Sequence, residues 1–583
     1  MATNTLISPG VLELENDQSF IAQQPVTVGA AIIGPTVKGP VEVPTIVTSW
    51  SDYQNKFGST FLSGSNVYSY FTSIAAYNYF LNGGQTMLVA RVATGSFTSA
   101  YTSGSTSNGS AVLNISGTLA LQFNTLSQGA LMNSFGPLDA SGSLASGSVD
   151  NIRWQITNSD TSQGTFSLLI RQGDDTTNNP TVLETWTNLS MDPTAPNYVS
   201  KVIGDQYKSY NAVDNQVEVN GTYPNASRYV YVASVSTPTP FYFDNTGVAK
   251  TQFTASIPTN ASGAFAGATG NLFNGGAANY YNAISSSATN TQGLNSASYN
   301  NMIALLSNQD DYRFNVLLTP GLFASGLTGA ANMAGQVTTI INNTMNRGDN
   351  IYVTDLVPYS SSITDVTGQA NAKNTSYAAA YWPWVQTVEP STGQLVWVPA
   401  STMIGGVYAY NDTVSEPWFA PAGINRGGLS TVVRAEKKLT QTNRDTLYSN
   451  KVNPIATFPG TGVVVYGQKT LQTKASALDR VNVRRLLISL KSYIGQVANN
   501  LVFEQNTIAT RNQFLAQVNP YLESVQQRQG LYAFKVIMDS SNNTPDVIDR
   551  NQLVGQIYLQ PTKTAEFVYL NFNILPTGVT FPG

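Results

Sequence analysis

A strand–helix–strand pattern begins near the N-terminus, breaks off shortly after Met87–Val92, and resumes at Tyr299. Residues 26–33 (VTVGAAII) form the apolar run of a short buried strand. Val67–Leu81 has helical spacing and ends at Asn82-Gly83-Gly84, a C-cap signal. Because helix-like and strand-like segments alternate again after the break, the order predicts an α/β core that a long insertion interrupts.

The interruption differs from the core in its charge. Val92–Leu138 and Thr251–Gln309 carry no charged residue and are rich in small and polar residues. Disordered chains usually combine high charge with few aromatic residues, whereas these stretches keep aromatic side chains such as Phe123 and Phe265. Residues 165–205 between them show strand-like alternation. The sequence therefore predicts a folded, β-rich inserted domain.

The last part of the chain is basic and the rest is acidic. Pro421–Gly583 holds 17 Lys+Arg and 9 Asp+Glu, a net charge of +8. Since the whole chain has 29 and 33, residues 1–420 hold 12 and 24, a net charge of −12. This asymmetry indicates that the two parts face different partners.

An amphipathic helix is predicted in the basic part, because apolar residues from Val483 to Leu501 fall on one narrow face of a helical wheel. A second helix is predicted from about Asn506 to Gln529, with a kink or restart at Pro520. Residues 532–539 and 553–561 have the pattern of strands.

Together these patterns predict an α/β (α+β) multidomain fold with an α/β core, a β-rich insertion and an α+β C-terminal domain. The predicted parts are an N-terminal extended arm (1–20), the first part of the core (21–96), the insertion (97–299), the second part of the core (300–420), the basic C-terminal domain (421–560) and a C-terminal strand arm (561–583).

Neither histidine nor cysteine occurs in the chain. This excludes Ser-His-Asp triads, thiolate nucleophiles, disulfides and metal sites built on these residues. Asp174-Asp175 is interpreted as a solvated Gly-Asp-Asp turn, and Asp539–Asn543 lacks the glycine and glutamate of a calcium loop. Trp382-Pro383-Trp384 is interpreted as core, with stacking on bases or sugars as the alternative. We therefore predict no catalytic, cofactor or metal site, and not an enzyme.

No segment has the apolar length of a membrane span, and the N-terminus lacks the basic and apolar regions of a signal peptide. The sequence gives no indication of membrane insertion or secretion.

Four cations lie on or beside one flank of the predicted amphipathic helix: Arg480, Arg484, Arg485 and Lys491. Three interpretations stay open, namely a solvated helix face, a nucleic-acid contact and a contact with an acidic protein surface. Nucleic acid is disfavoured because no aromatic residues are interleaved with the charges and the chain's net charge is −4.

Two ordered sets of short segments, one in each half of the chain, match a single protein family. Those in the N-terminal portion are Ser8-Pro9-Gly10-Val11, Val28-Gly29, Gly34-Pro35, Gly39-Pro40, Asp52-Tyr53, Phe57-Gly58, Tyr79–Gly84 and Val89–Val92. Those in the C-terminal portion are Tyr377-Ala378-Ala379, Trp382-Pro383-Trp384, Val398–Ser401, Gly405–Ala409, Trp418–Gly423, Asn482–Leu486, Phe503–Asn506, Asn542–Thr544 and Ala565–Phe567. Together these segments resemble the contractile tail sheath proteins of bacteriophages, a family shared with contractile bacteriocins. Gln505 and Ala400 stand where this family usually has proline. Residues 165–205 resemble the longer sheaths of the T4-like phages, which favours a phage protein.

The resemblance implies a structural subunit that forms helically stacked six-fold rings around a rigid tube and contracts to drive the tube through the host envelope for genome delivery. The implied partners are further copies of the chain, the tail tube protein, and baseplate and tail terminator proteins. No cofactor, nucleic acid or membrane insertion is implied. The implied location is the virion tail, after assembly in the bacterial host cytoplasm. The insertion would protrude outward, and residues 421–560 would face the tube through the four cations.

Extended termini suit such an assembly, because a free strand can complete the sheet of a neighbour. The predicted strand-exchange residues are Val11, Leu12 and Leu14 in the N-terminal arm and Phe567, Val568, Leu570, Phe572 and Ile574 in the C-terminal arm.

Three other interpretations remain. The chain could form a static virion coat or surface lattice, or the sheath of a related contractile injection system. An enzyme alternative is a carbohydrate-active β-domain that uses carboxylate pairs and the tryptophan cluster.

Overall fold

The computed structural model describes residues 28–63, 66–102, 114–115, 118–119, 121–134, 139–272, 292, 294, 296–325, 333–567 and 569. The strands, in chain order, are β1 Val28–Gly34, β2 Thr45–Val47, β3 Phe61–Ser63, β4 Asn66–Tyr68, β5 Met87–Arg91, β6 Ser99–Thr102, β7 Asn114–Ile115, β8 Thr118–Leu119, β9 Leu121–Gln128, β10 Ile152–Asp160, β11 Thr165–Gln172, β12 Val182–Ser190, β13 Tyr207–Asn211, β14 Gln216–Asn220, β15 Val230–Val235, β16 Ala261–Ala266, β17 Phe314–Phe323, β18 Ile351–Asp355, β19 Ala378–Trp382, β20 Val385–Val388, β21 Leu395–Val398, β22 Val432–Ala435, β23 Val452–Phe458, β24 Gly462–Val465, β25 Leu531–Ile537 and β26 Gln556–Pro561. The helices are α1 Trp50–Phe57, α2 Phe71–Leu81, α3 Val199–Ile203, α4 Thr251–Thr254, α5 Asn300–Leu305, α6 Ala334–Arg347, α7 Ile363–Asn371, α8 Ser401–Val414, α9 Gln441–Ser449, α10 Val481–Asn499, α11 Ile508–Gln527 and α12 Pro545–Asp549.

An eight-stranded sheet forms the centre of the core, in the order β2-β5-β1-β17-β18-β19-β23-β24. The six strands from β5 to β23 run parallel, and the edge strands β2 and β24 run antiparallel to their neighbours. Every residue of β5, β18 and β19 is buried, as expected for a parallel sheet covered on both faces. Trp382 and Trp384 lie in this core, so the core interpretation of the tryptophan cluster is confirmed.

The core continues past the predicted boundary at residue 420. Strand β22 pairs with β20, and β23 and β24 extend the central sheet. Leu447 and Leu471 are buried in the same hydrophobic cluster as β1. The predicted boundary between 300–420 and 421–560 is therefore wrong. The net charge of the chain changes near residue 420, but the same hydrophobic core continues past it.

The insertion between β5 and β17 contains a seven-stranded antiparallel sheet in the order β12-β11-β10-β16-β6-β9-β15. It has its own hydrophobic core, which includes Trp154 and Phe166 and the two aromatic residues of the uncharged stretches, Phe123 and Phe265. Buried positions alternate with more exposed ones along β9 and β16, which is the pattern of strands packed on one face.

The Gly-Asp-Asp turn after β11 differs from its prediction. Asp174 is exposed, but the Asp175 side chain is fully buried and forms ion pairs with Arg171 and Arg153. The solvated interpretation is therefore wrong for Asp175. Arg153 and Arg171 face each other across β10 and β11 in register, which brings two cations to one carboxylate.

The C-terminal unit packs α10 and α11 against the hairpin of β25 and β26 around a third hydrophobic cluster. Helix α11 passes through Pro520 without restarting. Buried Phe514, Val518 and Leu522 continue one stripe across the proline, so tertiary packing holds the helix where its backbone lacks a hydrogen bond.

Asp355 is a buried carboxylate at the carboxyl end of β18. It accepts hydrogen bonds from the Ser401 hydroxyl at 2.6 Å, the Ser401 backbone N–H at 3.2 Å and the Gly321 N–H at 3.3 Å. Burial raises the pKa of Asp355 to about 6, although these hydrogen bonds act to lower it. The charged group thus costs stability while it ties β17 and β18 to the start of α8.

The raised pKa of Asp355 predicts a pH-dependent stability. The folded state favours the protonated carboxyl of Asp355. The resulting contribution to the free energy of unfolding is fully present below the unfolded pKa of about 4, and it is lost as the pH rises through about 6. Because Asp355→Asn removes this titration, the wild-type minus variant free energy of unfolding should fall by on the order of 2–3 kcal/mol between about pH 4 and pH 7. Urea unfolding at both pH values measures it, and a difference that does not change with pH would contradict the prediction.

Candidate functional site

Helix α10, which carries the predicted basic flank, lies between two hydrophobic cores. Val481 and Ile488 pack in the core of the central sheet. Leu486 and Leu490 pack in the C-terminal cluster with α11. The helix is therefore buried on two faces rather than on the single face that the wheel predicts.

Arg484 lies on the face that is turned toward the central core. Its guanidinium stands 3.9 Å from the centre of the Tyr377 ring and donates a hydrogen bond to the Ser376 hydroxyl. The residue is only 4% exposed, and burial lowers the pKa of its guanidinium. Arg484 thus binds α10 to the segment that precedes β19.

Arg485 is buried and forms an ion pair with the exposed Asp412 in the last turn of α8. Its Nη2 lies 2.5 Å from Asp412 Oδ2, and its guanidinium stands 4.7 Å from the centre of the Tyr408 ring. Burial acts to lower the pKa of Arg485, but the charge of Asp412 outweighs it and the pKa is raised. The cation is therefore neutralised inside the subunit.

The predicted exposed flank is wrong for Arg484 and Arg485. Val481, these arginines and Ile488 follow the three- and four-residue spacing of a helix stripe, and that stripe is the signal that marks a second buried face. The arginines are tolerated there because aromatic rings and Asp412 supply partners. Lys491 is exposed, with its Nζ 3.4 Å from the Tyr377 hydroxyl, and its contact with a tube stays a prediction.

Arg480 holds the beginning of the C-terminal segment instead of facing outward. Its Nε donates to Glu566 Oε1 at 2.7 Å. Tyr448 donates its hydroxyl hydrogen to Glu566 Oε2 at 2.7 Å, and Gln468 donates to Oε1 at 3.1 Å. We call these four residues the Glu566 clamp. It ties the last described segment to the central core.

The members of these contacts are far apart in sequence. Tyr448 lies 118 positions from Glu566, and Asp412 lies 73 positions from Arg485. No local pattern marks Tyr448, Gln468 or Asp412, so the sequence analysis does not identify them.

The two described residues past the Glu566 clamp are exposed. Phe567 is 68% exposed and Tyr569 is 88% exposed. The other predicted strand-exchange residues lie outside the described residues: Val11, Leu12, Leu14, Val568, Leu570, Phe572 and Ile574. The exchange stays a prediction, and the structure gives Phe567 the exposure that it requires.

The hairpin of β25 and β26 is a two-stranded sheet, and within the described part of the chain no further strand pairs with either edge. Tyr532 and Tyr558 on this hairpin are 63% and 56% exposed. Isolated two-stranded sheets are marginal, and open edges accept further strands. The hairpin is thus a receptor of the right kind for an extended strand.

Among the described residues, no three Asp or Glu side chains come close enough together to hold a metal ion. The helices in the same residues are all too short or too polar to cross a membrane.

Two family models match adjoining parts of the chain. The phage tail sheath protein central domain matches residues 295–471, and the phage tail sheath C-terminal domain matches residues 473–575. Their border agrees with the structural end of the core, after β24, rather than with residue 420.

Curated relatives and solved structures agree with these matches. The chain is 39% identical to the tail sheath protein of Vibrio phage KVP40 over 233 residues, which is 39% of this chain and 35% of the relative. It is 40% identical to the tail sheath protein of Enterobacteria phage T4 over 185 residues, 32% of this chain and 28% of the relative. The chain thus spans about a third of the length of these relatives. The crystal structure of a sheath tail protein from Listeria innocua shares the fold, with a TM-score of 0.50 at 8% identity over 92% of this chain and 96% of the other.

Proposed function

Because the chain carries the central and C-terminal domains of the phage tail sheath family, we propose that it is a structural subunit of a contractile phage tail sheath. The observation that carries the proposal is the match of both domains, in order, over residues 295–471 and 473–575. In the assembly, copies form six-fold rings that stack helically around a tube and contract to drive it through the host envelope. The role is structural, not enzymatic.

Strand exchange joins the copies in this proposal. A C-terminal segment leaves the Glu566 clamp and pairs with an open edge of a neighbour's β25–β26 hairpin. The exposure of Phe567 and the unpaired edges of the hairpin support this arrangement. Each backbone hydrogen bond contributes about 1 kcal/mol, so several bonds at every joint link the polymer. Contacts of this head-to-tail kind produce open helices.

The C-terminal unit faces the tail tube in the proposal, and Lys491 is the predicted flank cation that is free to meet an acidic surface. Arg480, Arg484 and Arg485 have partners inside the subunit. Exposed ion pairs contribute about 0–1 kcal/mol each, and weak contacts suit a sheath that slides along its tube.

Charge reversal of Lys491 tests the tube contact. Lys491→Glu should leave the free energy of unfolding within about 0.5 kcal/mol of wild type and weaken binding of the sheath to purified tubes. Arg484→Glu should instead destabilise the subunit by about 3 kcal/mol or more, because it places an unpaired carboxylate in a buried site. Co-sedimentation with tubes and urea unfolding measure the two effects. Unchanged tube binding by Lys491→Glu would contradict the contact.

Assembly takes place in the host cytoplasm and the product is part of the virion tail in this proposal, with baseplate and tail terminator proteins at the two ends. Contraction releases conformational energy stored in the extended polymer. It requires neither nucleotide nor metal from this chain.

Electron microscopy of the purified, polymerised chain tests the function. Hollow helical tubes with six-fold symmetry are expected. Flat lattices would favour the static coat alternative, and hydrolysis of polysaccharide by the purified protein would favour the enzyme alternative. Tubes assembled on a tube protein from a toxin-delivery system rather than a phage would favour a related contractile injection system.

A further inference from the structure

A cleft of about 640 Å³ lies where the insertion meets the core. One wall is the loop after β1, including Lys38 and Pro40, and the opposite wall comes from the β13–β14 hairpin and the residues that lead into β15. The volume is typical of a small-ligand site. Ligands of parallel sheets bind outside the carboxyl ends of the strands, and the cleft lies outside the carboxyl end of β1.

The cleft is held in shape by contacts between the insertion and the core. Gln128, at the end of β9, donates its backbone N–H to Gly39 O at 3.1 Å and accepts from Val41 N–H at 2.9 Å through its side chain. Arg91 is buried beneath them and donates to Gln128 O at 2.9 Å. The core loop and the insertion are thus fixed to each other beside the cleft.

The lining contains four cations, Lys38, Lys56, Lys208 and Arg228, and one carboxylate, Asp150. Lys56 is already paired with Asp52 outside the lining, at 2.9 Å. Lys38 and Asp150 lie largely buried with 3.6 Å between Nζ and Oδ1, which is a long separation for an ion pair. Burial lowers the pKa of Lys38 and raises that of Asp150. Lys208 and Arg228 are exposed and form no ion pair within the described residues. An anionic ligand would gain partners here.

Aromatic and amide groups lie beside these charges. The Tyr207 ring stacks on Tyr231 with 5.1 Å between ring centres, and Tyr207 is 40% exposed. Asn225 also lines the cleft, but its Oδ1, which lacks a hydrogen-bond partner in the described part of the chain, has almost no accessible surface. The exposed part of the Tyr207 ring can pack against the apolar face of a sugar.

We infer that this cleft binds an acidic oligosaccharide, with its carboxylates at Lys208 and Arg228 and one sugar ring on Tyr207. The carboxylate of Asp150 lies among the cations of the lining. It would repel a cluster of phosphates more strongly than single carboxylates that are spaced along a sugar chain. The inference does not depend on the proposed sheath function, since it uses only the insertion and the core loop.

Titration of the full chain with trigalacturonate by isothermal calorimetry tests the inference, with maltotriose as the uncharged probe. We expect saturable binding of trigalacturonate and none of maltotriose at the same concentration. The double variant Lys208→Ala/Arg228→Ala should lose about tenfold or more in affinity for trigalacturonate, because two charged partners are lost. Tyr207→Ala should weaken binding without changing its dependence on salt.

The matched control is Lys438→Ala/Lys474→Ala, which removes two exposed cations outside the cleft and should bind as wild type does. Absence of saturable trigalacturonate binding would overturn the inference, as would equal binding of maltotriose or unchanged binding by the cleft variants. Displacement of trigalacturonate by an equal concentration of sulfate or of a mononucleotide would also overturn it, because the cleft would then select charge or a base rather than a sugar.

Discussion

Replacing Asp175 with alanine should lower the free energy of unfolding of the insertion by about 3–5 kcal/mol. The Asp175 carboxylate accepts from Arg171 Nε at 2.7 Å and from Arg153 Nη1 at 3.3 Å, and all three side chains are almost completely buried. Without it, two guanidinium groups would face each other with no counter-charge among the described residues. Burial and the charge of Arg171 already lower the pKa of Arg153, so the site is strained before the carboxylate is removed.

Hydrogen exchange measured by mass spectrometry can follow this effect locally. Peptides from β10 and β11 should exchange about a hundredfold faster, or more, in Asp175→Ala than in wild type. Asp174→Ala is the matched control, because Asp174 is the adjacent, exposed carboxylate, and its effect should stay within about 0.5 kcal/mol. Equal effects of the two variants would show that the buried ion pairs contribute nothing.

Replacing Glu566 with alanine should raise the concentration at which long polymers form while the subunit stays folded. This prediction rests on the proposed sheath function. The clamp holds Glu566 by the Arg480 ion pair and by hydrogen bonds from Tyr448 and Gln468. Without these contacts, the start of the C-terminal segment is no longer fixed to the core. The segment then loses more conformational entropy when it binds a neighbouring copy. Because every subunit contributes one such joint, the same loss of binding free energy occurs at each joint of the polymer.

Sedimentation and electron microscopy measure polymer length, and circular dichroism monitors the fold. We expect the concentration needed for polymerisation to rise by about tenfold or more in Glu566→Ala, the equivalent of about 1.4 kcal/mol per joint. Glu523→Ala removes an exposed carboxylate from α11 and should polymerise normally. If wild type polymerises and Glu566→Ala does so equally well, the clamp has no role in assembly; if wild type forms no polymer, the proposed function itself fails.

Periodicity predicted the elements whose buried face shows in the spacing of their own apolar residues. The buried runs of β1 and β5, the apolar face of α10 and the β-rich character of the insertion follow from local spacing. Two bounds were wrong: the helix predicted from Val67 begins at Phe71, with Val67 and Tyr68 in β4, and the end of the strand-like stretch at 165–205 contains the helix α3. Local spacing could not predict the second buried face of α10, because Arg484 and Arg485 look solvent-facing until Tyr377 and Asp412 are brought beside them. The same holds for Asp175, whose burial depends on a cross-strand arginine.

Charge composition was a poor guide to domain borders. The basic character that begins after residue 420 predicted a new domain there, but β22 to β24 complete the central sheets. Hydrogen-bonded strand partners decide which unit a segment belongs to, and a change in net charge does not report them.

The position of α10 between two cores has a mechanical consequence. In a polymer joined through chain ends, tension on the C-terminal segment passes through Glu566 into Tyr448 and Gln468, and from there into the eight-stranded sheet. In the proposed assembly, load that leaves one subunit at its Glu566 clamp enters the next subunit at its β25–β26 hairpin. The pull therefore crosses both the central core and the C-terminal unit, and α10 joins the two. Any change in the length of such a polymer must then come from the joints between copies, while the interior of each copy stays as it is.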